Sequence, residues 1–174
     1  MILKLLHSLF KILNGDISTK QIAGGFAFGL IIGLTPTFSL HNLLVVLLIC
    51  IIRVNVATVM FSYVIFGLLS FLINPISHQF GYLLLVKFEF LKSFWTMLYN
   101  MPLVPLSGFN NTLLLGSLII SLVLFYPAFV LSEKGLVSYR ASIKPKLDNT
   151  RFFKILRATK IYNWYTKIKT LTGS

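Results

Sequence analysis

Between Ile22 and Ile73 three apolar runs follow one another with Arg53 as the sole charge among them. In water such a stretch would have to be buried almost entirely, and a bilayer is the solvent in which it makes sense. The rest of the chain agrees: hydrophobic residues make up 56% and charged residues 11% of its 174 positions. Soluble domains carry about 25% charged residues, so a water-facing surface is hard to build from this set. The expected fold class is all-α: an integral membrane helical protein with a short-helix hairpin, two full transmembrane helices, and interfacial amphipathic helices at both ends.

The first thirteen residues, MILKLLHSLFKIL, resemble a secretory signal only superficially, because Lys4, His7 and Lys11 interrupt the apolar run and no small-residue cleavage site follows. Their spacing predicts an amphipathic helix in the headgroup plane over 1–15, with Leu5, Leu6, Leu9, Ile12 and Leu13 on one stripe. The membrane domain is expected over 16–132, and Ser18 with Gln21 forms a capping box for its first helix.

That helix runs from Ile22 to Leu34 and rises about 20 Å, short of a hydrocarbon core of about 30 Å. A second short run, Ser39 to Ile52, follows a Thr35-Pro36-Thr37 break, where the imino acid removes a donor and disfavours helix before it. Two architectures fit 17–52. The pair folds into a re-entrant hairpin whose tip stops inside the membrane, which we prefer, or each run crosses as a short complete helix. Gly25, Gly29 and Gly33 repeat every four residues, so one face of the first helix carries almost no bulk and invites close packing, with the following run as the expected partner.

The third run, 56–73, is long enough to cross and is expected to end at Asn74-Pro75. An outer interfacial loop, rich in aromatic residues, is expected over 74–111, and a second crossing over 112–131, with Pro127 tolerated near its end. A basic cytoplasmic tail, 133–174, completes the chain. Its Lys154, Arg157, Lys160, Trp164 and Lys167 alternate cations with aromatics, which we read as contact with lipid headgroups, alongside Arg53 and Asn55. Lys and Arg number 16 against 4 Asp and Glu, a net charge of +12. Their distribution puts both termini and Arg53 in the cytoplasm under the positive-inside tendency.

The segment Ala23–Pro36, AGGFAFGLIIGLTP, contains a G-x-x-x-G-x-x-P core and is followed by Arg53-Val54-Asn55 and Asn74-Pro75. With these marks the chain resembles a family of small bacterial inner-membrane proteins described as a domain of unknown function. Ser39-Leu40-His41-Asn42 and Phe109-Asn110-Asn111-Thr112 extend the similarity to a narrower branch. The resemblance implies a bacterial integral-membrane location and no established activity. Some relatives carry attached glycosyltransferase domains, for which these residues leave no room.

No reaction centre stands out. The apolar runs hold no Asp or Glu, which argues against a carboxylate pair or a proton relay. The histidines, His7, His41 and His78, lack metal-ligand spacing, and Cys50, within an apolar run, is read as a buried filler. No metal and no cofactor is expected. The candidate site is the hairpin tip, Thr35, Pro36, Thr37, Ser39, His41 and Asn42, where polar groups lie at depth. The plain reading there is that Ser39 or Thr37 caps the second helix while His41 bonds a loop carbonyl. The expected function is non-enzymatic binding of anionic membrane lipids or of a partner, another membrane protein or a second copy, and not of nucleic acid. A small transporter using the broken helices and an enzyme acting on a lipid-linked substrate stand as alternatives.

Overall fold

The computed structural model describes residues 17–143, and every regular element among them is helical. The expected amphipathic helix over 1–15 and the tail residues Lys154, Arg157, Lys160, Trp164 and Lys167 lie outside the described residues. Two compact units divide the chain at Lys134 and Gly135. The first contains α1 (Thr19–Leu34), α2 (Leu40–Ile51), α3 (Val56–Tyr82), α4 (Lys92–Tyr99) and most of α5 (Thr112–Ser138). The described part of the second is the last turn of α5 and a π-helical turn, Tyr139–Ile143.

Ser18 opens α1 as expected, but through its backbone: its carbonyl accepts from the Ile22 N–H at 3.2 Å, and its hydroxyl makes no cap bond. The capping box is therefore absent. Instead, the Asn55 N–H donates to the Gln21 carbonyl at 3.0 Å, tying the start of α1 to the start of α3.

That tie announces the main correction. The small face of α1 packs on α3, not on the following run. A Cβ at Gly25 would meet the Asn55 carbonyl and Thr58, one at Gly29 the Val59 carbonyl and Ser62, and one at Gly33 Tyr63, Phe66 and Gly67. Residue numbers rise together along both helices, so α1 and α3 run parallel. The Ser62 hydroxyl crosses the seam to donate to the Phe26 carbonyl, and Phe26 meets Phe66 edge to face. Such a seam suits lipid, where small residues and polar cross-links replace the missing hydrophobic drive between helices. Closed in on several sides, α1 buries Ala23 and Ala27 completely.

By contrast, α2 buries only Asn42 and Val45, and Leu43, Leu44, Leu47, Leu48 and Ile51 are exposed. Cys50 is exposed too, not the buried filler expected, because it lies on the outward side of this peripheral helix.

The third helix does not stop at Asn74-Pro75. It continues through Pro75 to Tyr82 and then widens into a π-helical turn, Leu83–Lys87. Proline removes one hydrogen bond, whereas ending the helix would free several backbone groups, which a bilayer would leave without water, so in such a setting continuation is the cheaper outcome. Continuation is also rewarded by packing. Beyond Pro75, Gly81 and Gly116 bring α3 and α5 so close that a Cβ on either would run into the backbone at Thr112 or Ser77. These pairings make α5 antiparallel to α3. By the same logic α5 passes through Pro127 and ends at Ser138, beyond the expected limit at 131.

Between them, a 3-10 turn, Glu89–Leu91, leads into α4, and a second, Val104–Ser107, packs against α2. The Trp95 indole pins this segment by donating to the Leu84 carbonyl at 2.8 Å and stacking on Phe109. Asn111 starts α5, its side-chain oxygen accepting from the N–H groups of Leu113 and Leu114. Two helices, Val56–Lys87 and Thr112–Ser142 with their π turns included, are long and apolar enough to cross a membrane.

Candidate functional site

Pro36 ends α1 by denying the chain its next donor, and five residues later α2 has begun. The break leaves the carbonyls of Pro36 and Thr37 without helical partners, and Asn42 supplies them. Its amide nitrogen donates to the Pro36 carbonyl at 2.9 Å and more loosely to that of Thr37 at 3.4 Å. Its oxygen lies 2.9 Å from the Thr35 hydroxyl, which shares its one proton between that oxygen and the Ile31 carbonyl at 2.8 Å. Asn42, only 4% exposed, is thus the staple of the turn.

Ser39 caps α2 through its carbonyl alone, accepting from Asn42 and Leu43. Its hydroxyl instead meets His41 Nε2 at 3.1 Å, so the expected bond from His41 to a loop carbonyl is replaced by a short local pair. His41 Nδ1 is buried and has no hydrogen-bond partner among the described residues.

The predicted residues therefore divide. Thr35, Pro36 and Thr37 come together on an open cleft of about 470 Å³, whose other wall is α3, with Tyr63, Val64, Gly67, Leu68, Ser70 and Asn74, and to which α5 adds Leu113. Gly33 lines its base, while Ser39, His41 and Asn42 sit behind the turn and hold its shape. Gly25 and Gly29 are helix-seam residues. Arg53 is exposed beside the start of α3, and Asn55 caps that helix, its side-chain oxygen accepting from the Thr58 N–H and hydroxyl at 3.0 Å each.

Hydrogen-bonding capacity separates structural from available groups. The Ser70 hydroxyl is spent on the Gly67 carbonyl at 2.7 Å, and Thr35 is spent as above. Thr37 and Tyr63 hydroxyls lie 3.5 Å apart, long for a hydroxyl pair, so both retain strength for another partner. The Asn74 amide makes no hydrogen bond among the described residues. Gly67 adds space, since nothing lies within 4 Å of a Cβ built there. The cleft therefore offers neutral donors and acceptors on an apolar wall and no ionised group. Among the described residues no three His, Cys, Asp or Glu side chains come together as a metal site.

Tyr63, Ser70 and Asn74 are absent from the site residues read off the sequence. The signal was present: with Gly67 they fall at i, i+4, i+7 and i+11, a single polar and small stripe along an otherwise apolar helix.

Residues 4–143 match the family described as "Uncharacterized protein conserved in bacteria (DUF2062)". A protein of Treponema pallidum (strain Nichols), named only "Uncharacterized protein", is similar at 26% identity over 155 residues, covering 89% of this chain and 95% of its own length. No solved structure matches. Since the family match takes in most of the chain, the protein belongs to this conserved bacterial family of uncharacterised proteins.

Proposed function

We propose that the protein resides in the bacterial inner membrane with both termini cytoplasmic, acts without catalysis, and binds a membrane amphiphile through an uncharged hydrogen-bonding group held at the hairpin tip. The observation that carries this reading is the cleft of about 470 Å³ beside the tip, with Thr37, Tyr63 and Asn74 unspent and an apolar wall alongside. Its size suits one ligand segment.

Depth supports it. Gly33 lies against Gly67, eleven residues beyond Val56, and eleven residues of helix rise about 16 Å. If α3 enters the hydrocarbon near Val56, beside the exposed Arg53, the turn stops about halfway through a core of about 30 Å. That favours the re-entrant form of the hairpin, since α2 then returns to Arg53 on the side where α1 began. Phe38, at the turn, is 101% exposed, a position that oil tolerates and water penalises. Polar groups at such depth are costly without partners, and a ligand would supply them. Ser39 and His41 form a close pair, but His41 Nδ1 has no orienting partner among the described residues and neither residue lines the cleft, which supports a binding role.

Photocrosslinking in native membranes tests the proposal. A benzophenone amino acid at Val64, which lines the cleft, should capture a discrete lipid species, while the same group at Ile76, exposed on α3, should capture bulk lipid. The same mixture of lipids at both positions would overturn the reading.

A further inference from the structure

A second open cleft, of about 450 Å³, lies at the far end of α3, lined by His78, Gln79, Tyr82, Leu83 and Lys87. Four of its five residues carry hydrogen-bond donors and none is acidic. Among the described residues Lys87 has no ion-pair partner, so its ammonium is uncommitted. His78 is oriented from α5, the Thr112 hydroxyl lying 2.7 Å from its Nδ1. With that hydroxyl as donor, the ring proton sits on Nε2 and Nε2 becomes a further donor.

The backbone explains how Lys87 joins the group. On a regular α-helix His78 and Tyr82 share a face, and Lys87 would point well away from it. The turn from Leu83 to Lys87 is π-helical instead, closed by the Phe88 N–H on the Leu83 carbonyl at 3.1 Å. A π turn winds less per residue than an α turn, and over four residues the lag, of the order of 60°, swings Lys87 back toward Gln79 and Tyr82. Single π turns of this kind recur at functional sites. The Trp95 indole holds this one by its bond to the Leu84 carbonyl.

Position supplies the ligand class. His78 lies twenty-two residues beyond Val56, about 33 Å along the helix, just past a hydrocarbon core of about 30 Å and in the headgroup layer. We infer that this cleft binds a phosphate group, Lys87 supplying the charge and His78, Gln79 and Tyr82 the directed donors. The phosphate belongs to a lipid headgroup or is free in solution, and the two sources differ only in whether acyl chains add affinity along the exposed Ile76 and Val86.

Isothermal titration of the full chain in an uncharged detergent distinguishes them, using dihexanoyl phosphatidate, inorganic phosphate and dihexanoylglycerol. Saturable binding of the phosphatidate and not of the glycerol supports the site with a lipid source, and equal binding of inorganic phosphate supports it with a free one. Lys87→Gln should weaken binding at least tenfold, Lys87→Arg should restore it to within threefold, and Lys92→Gln, outside the cleft, should leave it unchanged. Circular dichroism confirms that each variant keeps its helices. The inference is overturned if neither phosphate compound binds, if dihexanoylglycerol binds as tightly as the phosphatidate, or if Lys87→Gln and His78→Gln both keep the affinity of the unsubstituted chain.

Discussion

At the scale of single residues the α1–α3 seam makes the sharpest demand. A methyl group at Gly29 would collide with the Val59 carbonyl and with Ser62, and neither backbone nor a fully buried serine can step aside. Gly29→Ala should lower stability by about 1–3 kcal/mol, the usual cost of overpacking. Gly67→Ala, with open space around it, should stay within about 0.5 kcal/mol. Unfolding in mixed micelles with increasing dodecyl sulfate measures both, and a Gly29→Ala protein as stable as the unsubstituted one would contradict the seam. Asn42→Asp keeps the shape and the acceptor but loses the donors that satisfy Pro36 and Thr37, and should cost about 1–3 kcal/mol in the same assay. The glycine face was legible in the sequence because period and size announce it. Its partner was not, since small-residue spacing says nothing about which helix will fill the groove. Asn42 was legible as polar but not as spent, because its bonds turn inward to the loop only once the chain has folded back at Pro36.

At the scale of elements, hydrophobic length located all four apolar helices, while proline misplaced one boundary. Asn74-Pro75 reads as a helix end by the rules of soluble proteins, and the helix nevertheless continues to Tyr82, the outcome expected of a helix in oil, where freed backbone groups find no water. The same reasoning bears on the hairpin. If the turn stops near the level of Gly67, a thiol on its fully exposed surface, as at Phe38, lies in oil and is reachable from neither aqueous side, whereas the cleft runs from Thr37 toward Asn74 and Leu113, at the end of α3 away from Arg53. In a Cys50→Ser background, Phe38→Cys should resist a membrane-impermeant maleimide added outside intact spheroplasts, while Asn110→Cys, exposed in the segment before α5, should react. Rapid labelling of Phe38→Cys from outside would mean that α1 and α2 each cross, and the mid-depth site would fall with that result.

At the scale of the whole molecule, topology follows from the two pairings that α3 makes. It runs parallel to α1 along the glycine seam and antiparallel to α5 at Ser77–Gly116 and Gly81–Thr112. The end of α3 near Arg53 is therefore shared with the start of α1, near Lys20, whereas the opposite end carries Lys87, Glu89 and Lys92. Ten further cations lie from Lys134 onward, counted along the sequence. Cations flanking short loops are retained in the cytoplasm, so the Arg53 end should face inward and the segment from Phe88 to Asn111 outward. Alkaline phosphatase inserted after Ser107 should then be active, and green fluorescent protein fused after Ser174 should fluoresce. The assignment also predicts how it can be disturbed. Replacing Lys20 and Arg53 by Gln removes the cations nearest the hairpin but leaves those beyond Lys134, so the second crossing keeps its orientation and the phosphatase at Ser107 stays active. If that double variant inverted the reporters, the hairpin cations, and not the basic tail, would set the orientation of the chain.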